Sequence, residues 1–503
     1  MIRARTAENV AVFVGLQWFN RVFGVLTKII LIRLLMPDVF GVFALAAGLI
    51  GFIGTFGSFG LDYAIIQKGD AATKEDYDVG MSFRLLIAVA LFIVSVFVAG
   101  PWASLFSVPP VAGASRILAI VYLVGPFAFV PSTWLAARLR LRAIAVPSLA
   151  GQISNSVISV ALAALGFQIW SLVYGVLLSQ VIATVAYSIV QPWTFRFSIR
   201  REVARPLLAY ARHLVSASFF GFLITNVDNF TVGFFLGSTA LGLYAVAYAI
   251  GFIPVSLLSV PAGAALFPSL AKVRLREDAL RQGYLESFGY AAVFIAPTAF
   301  GMATMAPEIV RILLGQIWID ATIPLIILSF YGLARALLDF GSSLFAAVGK
   351  PRITAMLNLY VLVTSVILVF PLTLAYGISG TALAMTIPVA SVALVSIARV
   401  ARVLRVATRL VLEKLKFPVL AAAAMGVLVW ILRVTLYAIL PDRVTLPFIG
   451  RSVSEAAIIL VVGILGGLLA YLALLLILDR EAFRGLWRHA RMVMKPRIRE
   501  PVA

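Results

Sequence analysis

Apolar runs of about twenty residues, separated by short polar turns, follow one another through almost the whole chain. That length suits a helix crossing a hydrocarbon layer roughly 30 Å thick. Strand-type alternation is absent, so helices are the predicted spanning elements. Fourteen spans are predicted, at about 11–35, 39–59, 81–100, 114–135, 146–165, 169–189, 211–236, 241–266, 287–306, 321–348, 352–373, 378–398, 417–439 and 455–478.

The first span breaks the pattern. Gln17, Arg21, Gly24 and Lys28 recur at spacings of four, three and four, which puts them on one stripe of a helix. Their neighbours, such as Leu16, Val22, Leu26, Ile29 and Ile30, are apolar. A charge at the membrane centre costs about 2.5–3.5 kcal/mol on insertion scales. Arg21 sits too near the middle to snorkel fully, Lys28 reaches partly toward the outer interface, and Arg33 reaches it easily as an anchor. A wet interior facing the stripe would offset that cost.

Composition agrees with a polytopic membrane protein. Of 503 residues, 62% are hydrophobic and 12% charged, with a mean hydropathy of +1.05. A soluble chain carries about 25% charged residues. There is no cysteine, which excludes disulfides, thiol catalysis and thiolate metal sites. The two histidines, His213 and His489, lie far apart beside basic loops, so no metal site is expected. Gly349-Lys350 is followed by Pro351, so no Walker A loop is present, and no cofactor is expected. Arg3 and Arg5 precede an apolar run that carries Asn20 and Arg21, which reads as an uncleaved first span rather than a signal peptide.

The net charge of +20 changes meaning once placed along the chain. Thirty-one of the 41 Lys and Arg fall in alternate short segments, and only Arg311, Arg443 and Arg451 fall in the loops between those segments. The alternation predicts both termini in the cytoplasm and argues against a nucleic-acid partner. Two basic stretches are predicted to be amphipathic: Arg402, Arg405, Arg409, Glu413 and Lys416 on one face, and Arg480, Arg484, Arg488, Arg491 and Lys495 on another. Anionic lipid headgroups are the expected partners of such basic loops.

An internal repeat is visible at a constant offset of 201 residues. Leu35-Met36-Pro37-Asp38-Val39-Phe40-Gly41-Val42-Phe43 matches Leu236-Gly237-Ser238-Thr239-Ala240-Leu241-Gly242-Leu243-Tyr244. Further on, Asp70–Tyr77 and Arg274–Tyr284 occupy equivalent places. Six spans per half give the halves the same orientation, related by an axis along the membrane normal. The expected organisation is an N-lobe over 1–209 with spans 1–6 and a C-lobe over 210–400 with spans 7–12. A region over 401–503 follows, with a basic connector, spans 13–14 and a basic tail.

Arg33-Leu34-Leu35-Met36-Pro37-Asp38-Val39-Phe40-Gly41, then Gly60-Leu61 and Gln67, resemble the first hairpin of Wzx-type polysaccharide flippases. Asn226-Val227-Asp228-Asn229, with Leu241-Gly242-Leu243-Tyr244 and Ala247-Tyr248, resembles that family's seventh and eighth spans; Phe267-Pro268-Ser269-Leu270 and Gly349-Lys350-Pro351-Arg352 also fit. The wider group is the multidrug/oligosaccharidyl-lipid/polysaccharide (MOP) exporter superfamily. The resemblance covers about spans 1–12. It implies an all-α, two-lobed core around a central cavity and export of lipid-linked sugars by alternating access. One departure is that the acid often found before the Gly-Leu pair is replaced by Ser58 and Phe59, while Asp62 follows the pair.

On that resemblance, Gln17, Arg21, Lys28 and Asn229 are candidates to bind the phosphate or pyrophosphate and glycan of a polyprenyl-linked sugar. The repeat aligns Asp228 with Thr27 and Asn229 with Lys28. Asp228 is open to three readings: counter-ion to Lys28, coupling site for a proton or cation, or a helix–helix hydrogen bond. Arg335 and Asp339, four residues apart, are secondary candidates that can also neutralise each other. Pro126, Pro131, Pro254, Pro261, Pro324 and Pro388 mark expected kinks. Without an ATP motif, an ion gradient or product consumption outside must drive transport, with polysaccharide assembly proteins as possible partners. A multidrug antiporter would favour an acidic cavity, which span 1 lacks. An integral-membrane glycosyltransferase or polymerase would need outside catalytic acids, and the largest outside loop, about 440–454, offers Asp442 alone. The chain is therefore expected not to be an enzyme.

Overall fold

The computed structural model describes residues 2–57, 60–255, 259–440, 443–446 and 451–479. Fifteen α-helices follow in order among them: α1 (Ile2–Leu34), α2 (Pro37–Gly54), α3 (Leu61–Lys68), α4 (Lys74–Leu105), α5 (Pro110–Leu118), α6 (Ile120–Ala137), α7 (Leu141–Ala164), α8 (Ile169–Val190), α9 (Arg201–Gly251), α10 (Val260–Val273), α11 (Glu277–Ile309), α12 (Thr322–Ala347), α13 (Pro351–Leu404), α14 (Thr408–Ile439) and α15 (Glu455–Leu478). Two four-residue strands, β1 (Arg443–Leu446) and β2 (Arg451–Ser454), pair antiparallel between α14 and α15.

Eleven helical stretches among the described residues are long and apolar enough to cross a membrane. The helix α1 is not one of them, because Gln17, Asn20, Arg21 and Lys28 lower its hydropathy. Two of the long helices are hairpins. In α9 the backbone reverses at Gly237, at φ 82°, and Tyr244 Oη donates to Asp228 Oδ2 at 2.8 Å. Sixteen residues of straight helix would hold those two groups about 24 Å apart. In α13 the reversal is at Tyr376-Gly377, and Thr373 and Thr381 share a 2.7 Å hydroxyl hydrogen bond. Counted with those reversals, the eleven stretches give thirteen limbs, and the less apolar α1 makes a fourteenth long helix. They are α1, α2, α4, α5–α6, α7, α8, the two limbs of α9, α11, α12, the two limbs of α13, α14 and α15. The expected all-α, multi-span fold is present and its layout is consistent with fourteen spans; the seventh–eighth and eleventh–twelfth boundaries are turns of one or two residues.

The chain forms two compact units, Met1–Ala245 and Val246–Ala503. In the first, a capping box starts α4: Asp76 N–H donates to Thr73 Oγ1 and Thr73 N–H donates to Asp76 Oδ2. The extended segment after α8 is strapped across that start. Trp193 Nε1 and the Arg196 N–H donate to Asp78 Oδ1, and Ser198 N–H donates to Ser82 Oγ. Tyr77, Met81, Phe129 and Val130 bury the cluster beneath it, with Trp193 and Phe195 packed on top. The unit extends past residue 209 because the first limb of α9 packs on α2 and α4. Phe222 lies against Phe52, and Phe230 lies against Trp102 and Phe106.

In the second unit, spans 13 and 14 dock on span 9. Val293, Ala296 and Met305 of α11 meet Ala422, Met425 and Val429 of α14 and Leu460, Tyr471 and Leu475 of α15. Glu308, fully buried at the end of α11, locks the seam. Its Oε1 pairs with Arg433 Nε at 2.8 Å and accepts from Tyr437 Oη at 3.0 Å. Removing one partner of a buried pair typically costs about 3–5 kcal/mol, because the other charge stays buried. Arg433→Ala is therefore expected to lower the melting temperature of the purified protein markedly, and Glu308→Gln together with Arg433→Ala to recover part of the loss. An unchanged melting temperature in Arg433→Ala would show the pair to be dispensable.

One expected element is corrected. Arg402, Arg405, Arg409, Glu413 and Lys416 do not share a helical face, since α13 ends at Leu404 and Arg405 is left-handed (φ 54°, ψ 46°) before α14 begins at Thr408. Arg405 instead pairs with Glu277 at 2.8 Å, and Arg409 with Glu413 at 3.0 Å. The expected basic face from Arg480 to Lys495, and Asp442, lie outside the described residues. Of the expected proline kinks, Pro254 follows α9, Pro261 lies in the first turn of α10, Pro126, Pro131 and Pro388 lie inside helices, and Pro324 sits in the first turn of α12.

Candidate functional site

The site is built on α1. One face of this helix packs on α7: Thr27 Oγ1 donates to Ser156 Oγ at 2.7 Å, Gly24 lies against the Gln152 side chain, and Leu31 packs near Ala163. The opposite face is exposed and apolar, carrying Trp18, Phe19, Val22, Leu26 and Ile30. Lys28 is exposed as well, yet it lies roughly 145° round the helix from the middle of that apolar face. Its side chain is therefore exposed beside the packed face of α1, away from the apolar face. Arg21 and Gln17 are half-buried on the same stripe, and Arg21 is partnered. Asn20 Oδ1 is buried there without a hydrogen bond. Arg33 is exposed at the end of the helix, where an anchor is expected.

Asp228 is 2% exposed. Its Oδ2 accepts from Tyr244 and its Oδ1 from the Asn229 N–H at 2.9 Å. Of the three readings of this residue, the helix–helix hydrogen bond is the one the geometry displays. Lys28 is not among its partners. Asn229 is half-buried, and Asn226 donates back to the Phe222 carbonyl.

The two copies of the repeat meet at their turns. A Cβ on Gly41 would fall 1.8 Å from the Ser238 carbonyl oxygen, and a Cβ on Gly242 would fall 1.8 Å from the Pro37 oxygen. Pro37 and Ser238, like Gly41 and Gly242, are equivalent at the 201 offset, so the contact is reciprocal, as a local two-fold requires. Ser238 Oγ also donates to Asp38 Oδ1. Only glycine permits backbones to approach this closely.

In the second unit, Arg335 Nε pairs with Asp339 Oδ1 at 3.1 Å along α12. The hydroxyls of Tyr248 and Tyr331 lie 3.1 Å apart beside the arginine. The expected neutralisation within one helix is thus formed. Among the described residues, no group of three or more His, Asp or Glu side chains is placed to hold a metal ion.

A family profile described as polysaccharide biosynthesis protein matches residues 30–323, more than half of the chain. The chain belongs to this family. Two curated relatives are similar to it. The teichuronic acid biosynthesis protein TuaB of Bacillus subtilis is 23% identical over 300 residues, covering 58% of this chain and 60% of TuaB. The succinoglycan biosynthesis transport protein ExoT of Rhizobium meliloti is 25% identical over 294 residues, covering 58% of each chain. The match thus spans less than two thirds of either relative. Among solved structures, the lipid II flippase MurJ in an inward closed conformation superposes with a TM-score of 0.76 at 15% identity, covering 94% of this chain and 99% of MurJ. The chain therefore shares the fold of that structure.

Sequence reasoning missed several groups. Glu308 gave no signal, because it stands alone at the end of a span. The polar residues of α7 did leave one: Ser148, Gln152, Asn155 and Ser159 repeat the four-three-four spacing of the α1 stripe.

Proposed function

We propose that this protein moves a lipid-linked oligosaccharide or polysaccharide repeat unit across the cytoplasmic membrane by alternating access. The observation that carries the reading is Lys28, exposed on a side of α1 away from that helix's exposed apolar side chains. An exposed lysine on a membrane helix suits an anionic cargo, and polyprenyl phosphates and pyrophosphates are anionic cargoes that stay in the membrane. Family membership and relatives named for polysaccharide biosynthesis and transport support the same cargo class.

In this mechanism Arg21 and Lys28 neutralise the phosphate, Gln17 and Asn229 hydrogen-bond the adjoining sugar, and the lipid tail stays outside. The moving parts are the lobes 1–209 and 210–400, with 401–503 as an accessory. The reciprocal turn at Gly41 and Gly242 closes the outer side. Asp228 couples an ion to the cycle through the α9 hairpin that it holds. Arg335 and Asp339 are secondary contacts. Anionic lipids sit at basic loops such as that of Arg138 and Arg140, whose guanidinium groups stack on Trp134 at 4.0 and 5.1 Å. Polysaccharide assembly proteins are candidate partners. The chain acts as a transporter rather than an enzyme.

Deleting the gene in its host tests the function. Lipid-linked glycan should accumulate on the cytoplasmic side while surface polysaccharide is lost. Loss of polysaccharide without that intermediate would point to a synthetic enzyme instead. In this reading both termini lie in the cytoplasm. A single cysteine replacing Thr239 should be labelled by an external maleimide and one replacing Arg276 should not; the reverse pattern would invert the topology. The cysteine-free native chain makes this experiment clean.

A further inference from the structure

A second polar feature of the first unit lies beside the cationic stripe. The helices α6, α7 and α8 border a half-open cavity of about 270 Å³ whose polar lining is Ser148, Gln152, Asn155, Ser179, Gln180 and Tyr187, with alanines and a glycine between them. On α7 these groups face away from the exposed apolar side chains Val146, Ile153 and Val157, and on α8 away from Leu178, Val185 and Ile189. Along α7, Ser148 to Asn155 lie roughly 10–21 Å from Leu141, which is membrane depth.

The lining is polar and carries no charge. Part of it is satisfied internally: Ser179 Oγ donates to the Val176 carbonyl, Tyr187 Oη to the Ile144 carbonyl, and Ser159 Oγ to Asn155 Oδ1. The Gln180 amide and the Ser148 hydroxyl have no hydrogen-bond partner among the described residues, and the Asn155 amide donor and Gln152 carbonyl are likewise open. Polar groups at this depth require water or a ligand to complete them. Side-chain amides offer a donor and an acceptor side by side, which matches the adjacent hydroxyls of a sugar. No carboxylate is present to draw a cation, and no base to draw an anion. The volume lies just below the range of about 300–1,000 Å³ typical of ligand pockets, which is room for one ring rather than a whole repeat unit. Gln152 connects the cavity to the stripe, since its amide lies over Gly24, one turn from Lys28 and Arg21.

We propose that this cavity binds one neutral sugar ring of the transported glycan while the α1 cations hold its phosphate. The inference rests on the transport function proposed above. It is tested with the full chain in lipid nanodiscs, by native mass spectrometry against bare undecaprenyl pyrophosphate and the same carrier bearing glucose, galactose or N-acetylglucosamine. At least one glycosylated carrier should bind roughly tenfold or more tightly than the bare carrier. Gln180→Leu should erase that gain and leave bare-carrier binding unchanged. Ser148→Ala, a smaller change, should reduce the gain severalfold and serves if Gln180→Leu melts early. Equal binding of bare and glycosylated carriers overturns the sugar site alone, as does a gain that survives both substitutions. Binding of neither carrier overturns the transport reading and this site with it.

Discussion

Replacing Gly41 with alanine should force the two outer turns apart and abolish export. The new methyl group would sit 1.8 Å from the Ser238 oxygen, and its obstacle is backbone, which cannot rotate away. Overpacking a well-filled interior costs about 1–3 kcal/mol, and a backbone clash belongs at the upper end. Gly242→Ala should do the same by the reciprocal contact with Pro37. Asp38 and Ser238 touch across the turn, so a cysteine pair at those positions reports its closure. In the native background the pair should cross-link readily under mild oxidation. Adding Gly41→Ala should reduce cross-linking severalfold. Undiminished cross-linking with normal export would mean that the turns separate freely and that the glycines serve only the local fold.

Lys28→Ala and Arg21→Ala should each abolish export while protein abundance stays near normal. A charge held at membrane depth costs about 2.5–3.5 kcal/mol on insertion scales, so removing it should not hinder insertion. What is lost is the neutralisation of an anionic cargo. Arg21→Lys separates two roles of the guanidinium: partial activity if charge suffices, little if two parallel hydrogen bonds to a phosphate are needed. Asp228→Asn keeps a group that can still accept from Tyr244, so the α9 hairpin should persist while ion-driven turnover falls if the carboxylate couples transport. Normal glycan export by both alanine variants would make the stripe structural and exclude this mechanism.

Much of the architecture was legible in one dimension. Apolar run length marks a span without reference to any neighbour, because the bilayer is the same solvent for every helix. The repeat located the turns at Gly41 and Gly242, and the α1 stripe located Lys28 by periodicity alone. The Arg335–Asp339 pair was readable because both partners lie on one helix turn. The face of the 402–416 segment was misread because a single left-handed residue, Arg405, breaks the helical register, and arginine carries no strong signal for that conformation.

The amino-acid sequence by itself therefore determined the membrane class, the multi-span layout, the repeat and the place of a cationic stripe. These follow from local periodicity and from the cost of polar groups in hydrocarbon. The tertiary structure alone decided that Asp228 bonds Tyr244 and that Gly41 and Gly242 bring two carbonyls within contact. It likewise placed Glu308 on Arg433 and gathered the amides of α7 and α8 around one cavity. Each of those pairs joins residues far apart in the chain or across a reversal. Which of them meet depends on helix rotation and close packing, and a one-dimensional pattern carries neither.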